Sequence, residues 1–159
     1  MSAEIRKQRL RRLELVLVRS AIYFVTTCTE NRRDTLATPA IHKTFLRFGK
    51  EGPLYGAWIG AYVIMPDHLH LFVVTDDEKI GISAWMKSLK NTISKTLRVD
   101  GVAPPHWQKT FFDHLLRSSE SYSEKWNYVR ENPVRAGLVA KAEDWPYVGE
   151  IFALEYRSR

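Results

Sequence analysis

The chain has 159 residues, 45% of them hydrophobic and 26% charged, which is enough apolar material for one domain with its own core. The single cysteine, Cys28, excludes an internal disulfide and a cysteine-rich zinc site and points to a reducing cytoplasm. The formal charge of +6 is uneven, because Arg6, Lys7, Arg9, Arg11, Arg12 and Arg19 face only Glu4 and Glu14 in the first 20 residues.

A basic N-terminal arm over 1–19 is therefore expected, followed by a folded domain over 20–149 and a tail over 150–159. Nucleic acid is the leading partner for such an arm. No stretch approaches the roughly 20 apolar residues that span a bilayer, and no secretory signal pattern opens the chain, so a cytoplasmic protein with no membrane partner is expected.

Residues 20–29 (SAIYFVTTCT) are rich in β-branched and aromatic types and predict a strand, with a polar loop after it. Thr38 and Pro39 can open a helix whose apolar face carries Ile41, Phe45 and Phe48 and which Gly49 can end. Residues 57–65 (AWIGAYVIM) and 68–75 (HLHLFVVT) read as two strands of a hairpin turned at Pro66-Asp67. From Ile82, apolar residues at 85, 86, 89, 93 and 97 follow helical spacing, while Lys87, Lys90, Asn91, Ser94, Lys95 and Arg98 occupy the opposite face. A loop over 100–105 leads to an aromatic-rich strand near 107–116, and Ser119 or Ser121 opens a helix that runs to Asn132-Pro133, where Pro133 disfavours continuation. The order β-α-β-β-α-β plus a further helix predicts an α+β, ferredoxin-like antiparallel sheet with helices on one face and the other face uncovered.

Two segments carry candidate chemistry. On a strand, His68 and His70 point to the same side with Phe72, so both imidazoles can reach one divalent cation, given a further ligand and open positions for substrate oxygens. On the last helix, Tyr122, Trp126 and Val129 form the buried stripe, and Tyr128 projects roughly 120° away from it beside Ser121, Lys125 and Asn132, so burial does not explain its position. A phenol with an ordinary pKa near 10 needs a neighbouring base or cation to attack a phosphodiester.

The runs MPDHLHLF (65–72) and YVRENPVRAGLV (128–139), together with Trp107-Gln108-Lys109, Phe111-Phe112-Asp113-His114 and Trp145-Pro146-Tyr147, resemble the REP-associated tyrosine transposases. These belong to the single-tyrosine HUH transposases, named for the His-hydrophobic-His motif. The resemblance covers most of residues 20–149 and implies a ferredoxin-like nuclease with Mg2+ or Mn2+ held by His68 and His70. Tyr128 would be the catalytic nucleophile, forming a 5′-phosphotyrosine and a free 3′-OH. Asn132 would be the third metal ligand, where related enzymes carry Gln four residues after the tyrosine. The implied substrate is single-stranded DNA with palindromic hairpins, cut and rejoined without a nucleotide cofactor, in the cytoplasm at the nucleoid. No obligate protein partner is evident.

Candidate DNA contacts are the arm, Arg32 and Arg33 in the polar loop, and Lys87, Lys90, Lys95 and Arg98 on the second helix, with Trp107 or Tyr55 available for base stacking. Asp67 either turns the hairpin or bonds to a histidine from behind. Two other readings stay open: a nicking enzyme of the replication or relaxase type, and a domesticated hairpin-binding protein that no longer cuts.

Overall fold

The computed structural model describes residues 14–18 and 21–156; the predicted basic arm lies outside these apart from residues 14–18. In chain order the elements are β1 (Leu15–Val18), β2 (Ile22–Cys28), α1 (Pro39–Glu51), β3 (Ala57–Ile64), β4 (His68–Thr75), α2 (Ile82–Val99), β5 (Phe112–Leu116), α3 (Ser119–Val129), α4 (Asn132–Arg135), β6 (Val148–Glu150) and β7 (Ala153–Tyr156). The β-α-β-β-α-β order expected from the sequence forms an antiparallel sheet in the order β5-β2-β4-β3, and β6 adds a fifth strand outside β3.

One sheet face carries the main core. Leu69, Leu71 and Val73 of β4 join Ile41 and Phe45 of α1 and Trp85, Leu89, Ile93 and Leu97 of α2, all at most 2% exposed. Thr38 caps α1 by accepting from the Ile41 amide at 3.2 Å, a contact that contributes about 1 kcal/mol. Gly49 does not end this helix, which runs on to Glu51. Its small size serves packing instead: a Cβ there would run into Ile151 Cδ1. The stop comes at Gly52, where the chain tightens into a 3-10 turn closed by Gly56 at φ 85°.

The second face is not left uncovered as expected. α3 lies over part of it, with the Tyr122 and Trp126 rings meeting Phe72 edge-on at centroid separations of 4.7 and 6.1 Å. A β-bulge in β3 sets two residues, Gly60 and Ala61, against Phe72, between the pairs Ile59–Val73 and Tyr62–Leu71. The Tyr122 hydroxyl accepts from the Ala61 amide at that bulge at 3.0 Å, and burial holds the phenol neutral by raising its pKa.

Residues 15–18 and 153–156, assigned from the sequence to an arm and a tail, pair instead as a parallel ladder from Leu15–Ala153 to Val18–Tyr156. The Tyr156 hydroxyl accepts from the Ile22 amide, and the amides of Ile151 and Phe152 donate to the carbonyls of Gly60 and Ile59. Both segments are four residues long and find their partners across almost the whole chain, so neither has a local signal strong enough to identify it.

Gly60 marks where β3, α3 and β7 crowd together: a Cβ would sit 2.7 Å from both Tyr122 Oη and Leu154 Cδ1. Gly60→Ala is expected to destabilise the protein by about 1–3 kcal/mol through overpacking, read as a lowered urea midpoint. An unchanged midpoint would show that α3 does not depend on this close approach.

Candidate active site

Strand alternation and the β2–β4 register bring His68 and His70 to one face, opposite Cys28 and Thr26. Their rings lie 4.7 Å apart and nearly perpendicular, and the His70 ring stacks on Phe24 at 5.3 Å and 19°. Each Nδ1 already has a partner. His68 Nδ1 lies 2.7 Å from Asp67 Oδ1 and His70 Nδ1 lies 2.8 Å from Thr26 Oγ1.

A carboxylate only accepts, so His68 donates to Asp67 from Nδ1. The threonine hydroxyl can accept from or donate to His70 Nδ1, and among the described residues no hydrogen bond engages either Nε2 atom. Burial opposes ionisation of Asp67, but hydrogen bonds from Arg32 and His68, and their charges, outweigh it and hold the carboxyl below its ordinary pKa. Burial, followed by the like charges of His68, Lys125, Arg32 and Arg135, pushes His70 down to about 3, so this imidazole is neutral at any ordinary pH.

Arg32, expected to contact DNA, reaches behind the histidines. Its Nε donates to Asp67 Oδ2 at 2.8 Å and its Nη1 to Cys28 Sγ at 3.3 Å. Its backbone and that of Asn31 are left-handed, at φ 52° and 56°, a conformation that asparagine adopts readily and arginine rarely. Arg33 donates to the carbonyls of Ala103 and Pro105, tying the loop before β5. Both guanidinium groups are thus engaged by the protein.

α3 begins at Ser118, whose hydroxyl accepts from the Ser121 amide, and brings Tyr128 to the histidine face as an exposed side chain. Tyr128 lines a shallow cleft of about 350 Å3 with His114, Leu116, Ser121, Glu124 and Lys125, as its helical position beside Ser121 and Lys125 predicts. The helix does not run to Asn132. It stops at Val129, because Pro133 has no amide to give the Val129 carbonyl, and α4 restarts with Pro133 in its first turn. Asn132 is consequently not on the same helix as Tyr128; Arg135 links the two. Its guanidinium lies 3.9 Å over the Tyr128 ring, donates to the Tyr128 carbonyl at 2.7 Å and donates to Asn132 Oδ1. Lys125 sits 4.9 Å over the Phe24 ring. Sequence reasoning did not assign either cation to the site; the charged side chain on α3 next to the off-stripe tyrosine was the available signal.

The basic face of α2 lies behind the sheet. Lys87, Lys95 and Arg98 are exposed there, whereas Lys90 is half-buried and donates to the Gln108 carbonyl at 3.1 Å. Lys87 and Lys90 meet Lys109, Phe111 and Asp113 in a cleft beside β5. Ser94, expected on the outer face, is buried and accepts from the Trp107 indole at 3.0 Å; that bond holds Trp107 against α2. Tyr55 is exposed on the helix side, beside Phe48 and Trp85.

Among the described residues, no group of three or more His, Cys, Asp or Glu side chains converges as a metal site, and no helix is long and apolar enough to cross a membrane.

The unfolded His70 imidazole titrates near 6.5 and the folded one near 3, so below about pH 6.5 the unfolded chain takes up a proton that the folded chain refuses. Stability is fully present above that pH and is lost as pH falls toward the folded value. In metal-free buffer, the melting temperature of the wild type is expected to fall more steeply between about pH 6.5 and 4.5 than that of His70→Gln. Parallel curves would exclude this source of acid sensitivity.

Residues 17–131 match the family model described as Transposase IS200 like. A REP-associated tyrosine transposase of Escherichia coli (strain K12) is 23% identical over 133 residues, covering 82% of this chain and 76% of its own. A provisionally named REP-associated tyrosine transposase of Haemophilus influenzae is 24% identical over 143 residues, covering 81% and 79%. A solved structure of a REP-associated tyrosine transposase bound to a REP hairpin matches with a TM-score of 0.66 over 87% of this chain and 79% of that one, at 23% identity, a likeness of fold. With the family model spanning well over half of its length, the chain belongs to the IS200-like transposases and has REP-associated tyrosine transposases among its relatives.

Proposed function

We propose that this protein is a metal-dependent endonuclease and strand transferase that acts on single-stranded DNA carrying palindromic hairpins, with Tyr128 as nucleophile. The observation that carries the reading is the placement of the two imidazoles: each Nδ1 is hydrogen-bonded behind the ring, to Asp67 or Thr26, and among the described residues no hydrogen bond engages either Nε2 atom on the face that α3 overlies. Second-side hydrogen bonds of this kind fix tautomer and ring orientation at metal-binding histidines.

Two imidazole nitrogens and an amide oxygen can hold a divalent cation that completes its shell with water, and they suit Mn2+ better than the oxygen-preferring Mg2+. His68 and His70 would hold it, with Asn132 as the third donor, and a bound ion would supply Lewis-acid polarisation of a phosphate oxygen. Asn132 Oδ1 accepts from Arg135, so a metal held by Asn132 would lie beside that guanidinium.

In the cleavage step, Tyr128 Oη forms a bond to phosphorus, the P–O3′ bond breaks, and the 3′ oxygen leaves, taking up a proton from water to become the 3′-OH. The phenolic proton passes to solvent through the open cleft. Lys125 and Arg135 neutralise charge on the phosphate, which is where fixed cations have most effect on the rate. Phosphodiester bond energy stays in the 5′-phosphotyrosine, so attack by a 3′-OH rejoins strands without a nucleotide cofactor. The hairpin substrate is inferred from the structural neighbour in complex with a REP hairpin.

Tyr128→Phe is expected to abolish a metal-dependent covalent adduct with hairpin-bearing single-stranded DNA, seen on a denaturing protein gel, while leaving DNA affinity within about threefold, since the exposed hydroxyl supports no packing. Adduct formation by that variant, or none by the wild type with Mg2+ or Mn2+, would sink the mechanism. Asp67→Ala is expected to weaken Mn2+ binding about 10- to 100-fold, measured by electron paramagnetic resonance of free Mn2+. Equal affinity would refute its part in orienting His68.

A further inference from the structure

The sheet register carries a row of side chains across the face that holds the histidines. Phe112 of β5 pairs with Thr26 of β2, and Thr26 pairs with His70 of β4. Directly paired residues of an antiparallel ladder point to the same side, so Phe112 shares a face with His70. In the neighbouring row, His114, Phe24 and Phe72, the two phenylalanines are buried, whereas Phe112 is 71% exposed on the edge strand.

A single exposed aromatic residue is unremarkable on most surfaces. This one stands two strand spacings, roughly 10 Å, from the backbone of His70. His114, one row away on the same strand, lines the cleft that holds Tyr128 and Lys125. A free ring, a cation and the exposed tyrosine thus lie on one face, a combination that suits a nucleotide: the base on the ring and the phosphate on the cation. The aromatic residues favoured by the sequence fit this less well, because Trp107 is fastened to α2 and Tyr55 lies on the opposite side of the sheet.

We propose that Phe112 is the stacking platform for an unpaired nucleobase next to the phosphate that Tyr128 attacks. The inference rests on the nuclease reading above for its substrate. A base can present a face to the ring only when it is unstacked from a neighbour, so the platform selects single-stranded DNA at this point and tolerates any base.

The test uses the full chain in EDTA, so that binding is read without cleavage. The probes are single-stranded oligonucleotides that carry a palindromic hairpin flanked by unpaired nucleotides, with 2-aminopurine placed at successive positions. Wild type is expected to quench 2-aminopurine at one unpaired position. Phe112→Ala should lose that quenching and bind about tenfold more weakly, within the range for one stacked base, while Phe112→Trp should retain both. An abasic nucleotide at the same position should weaken the wild type about tenfold and leave Phe112→Ala unchanged. Equal quenching and affinity for wild type and Phe112→Ala would overturn the proposal, as would a loss spread over all positions or one that Phe112→Trp does not restore. Because the readout is independent of cleavage, failure to form the Tyr128 adduct would reject the mechanism while leaving the platform result intact.

Discussion

The arrangement of the active face depends on the antiparallel ladder between β2 and β4. Alternation along β4 sends Leu69 and Leu71 into the helix-covered core and turns His68 and His70 outward, and a shift of one residue would exchange the two sets. The same register sets Thr26 beside His70 and Cys28 beside His68, and extends through β5 to Phe112. Burial of the leucines therefore holds the histidines in place, because a slip that moved the imidazoles would strand the core residues in water.

The hairpin turn adds a second constraint. Asp67 follows Pro66 at the bend, and its carboxylate lies between the His68 ring and the Arg32 guanidinium. Arg32 reaches it from a left-handed backbone after β2, and the same two loops are joined by the amides of Thr29, Thr35 and Leu36, which donate to the carbonyls of Asp67 and Pro66. The consequence is electrostatic as well as geometric. Positive groups surround a neutral, desolvated His70.

α3 reaches this face through a defect in the sheet. The bulge at Gly60 and Ala61 presents an amide to Tyr122, and the absent side chain at Gly60 lets Tyr122 and Leu154 close over β3. The buried side of α3 is spent on docking to Phe72, which leaves Tyr128 free on the outer side; Pro133 then ends the helix and turns the chain so that Arg135 folds back over the tyrosine ring.

By itself, the sequence determined the elements whose signals are local: the β-α-β-β-α-β order, the two-residue period that pairs His68 with His70, and the helical period that sets Tyr128 off the buried stripe. Each follows from spacing along one element, which backbone geometry converts directly into a direction. Tertiary structure alone decided which groups stand behind and beside those side chains. Thr26 and Phe112 reach the row of His70 only through strand register, Lys125 meets Phe24 only through the docking of α3, and Arg135 covers Tyr128 only through the turn into α4. β1 and β7 have no identity until they meet. Such neighbours are distant in the chain, and what brings them together is the burial of other residues, so no pattern within their own segments records them.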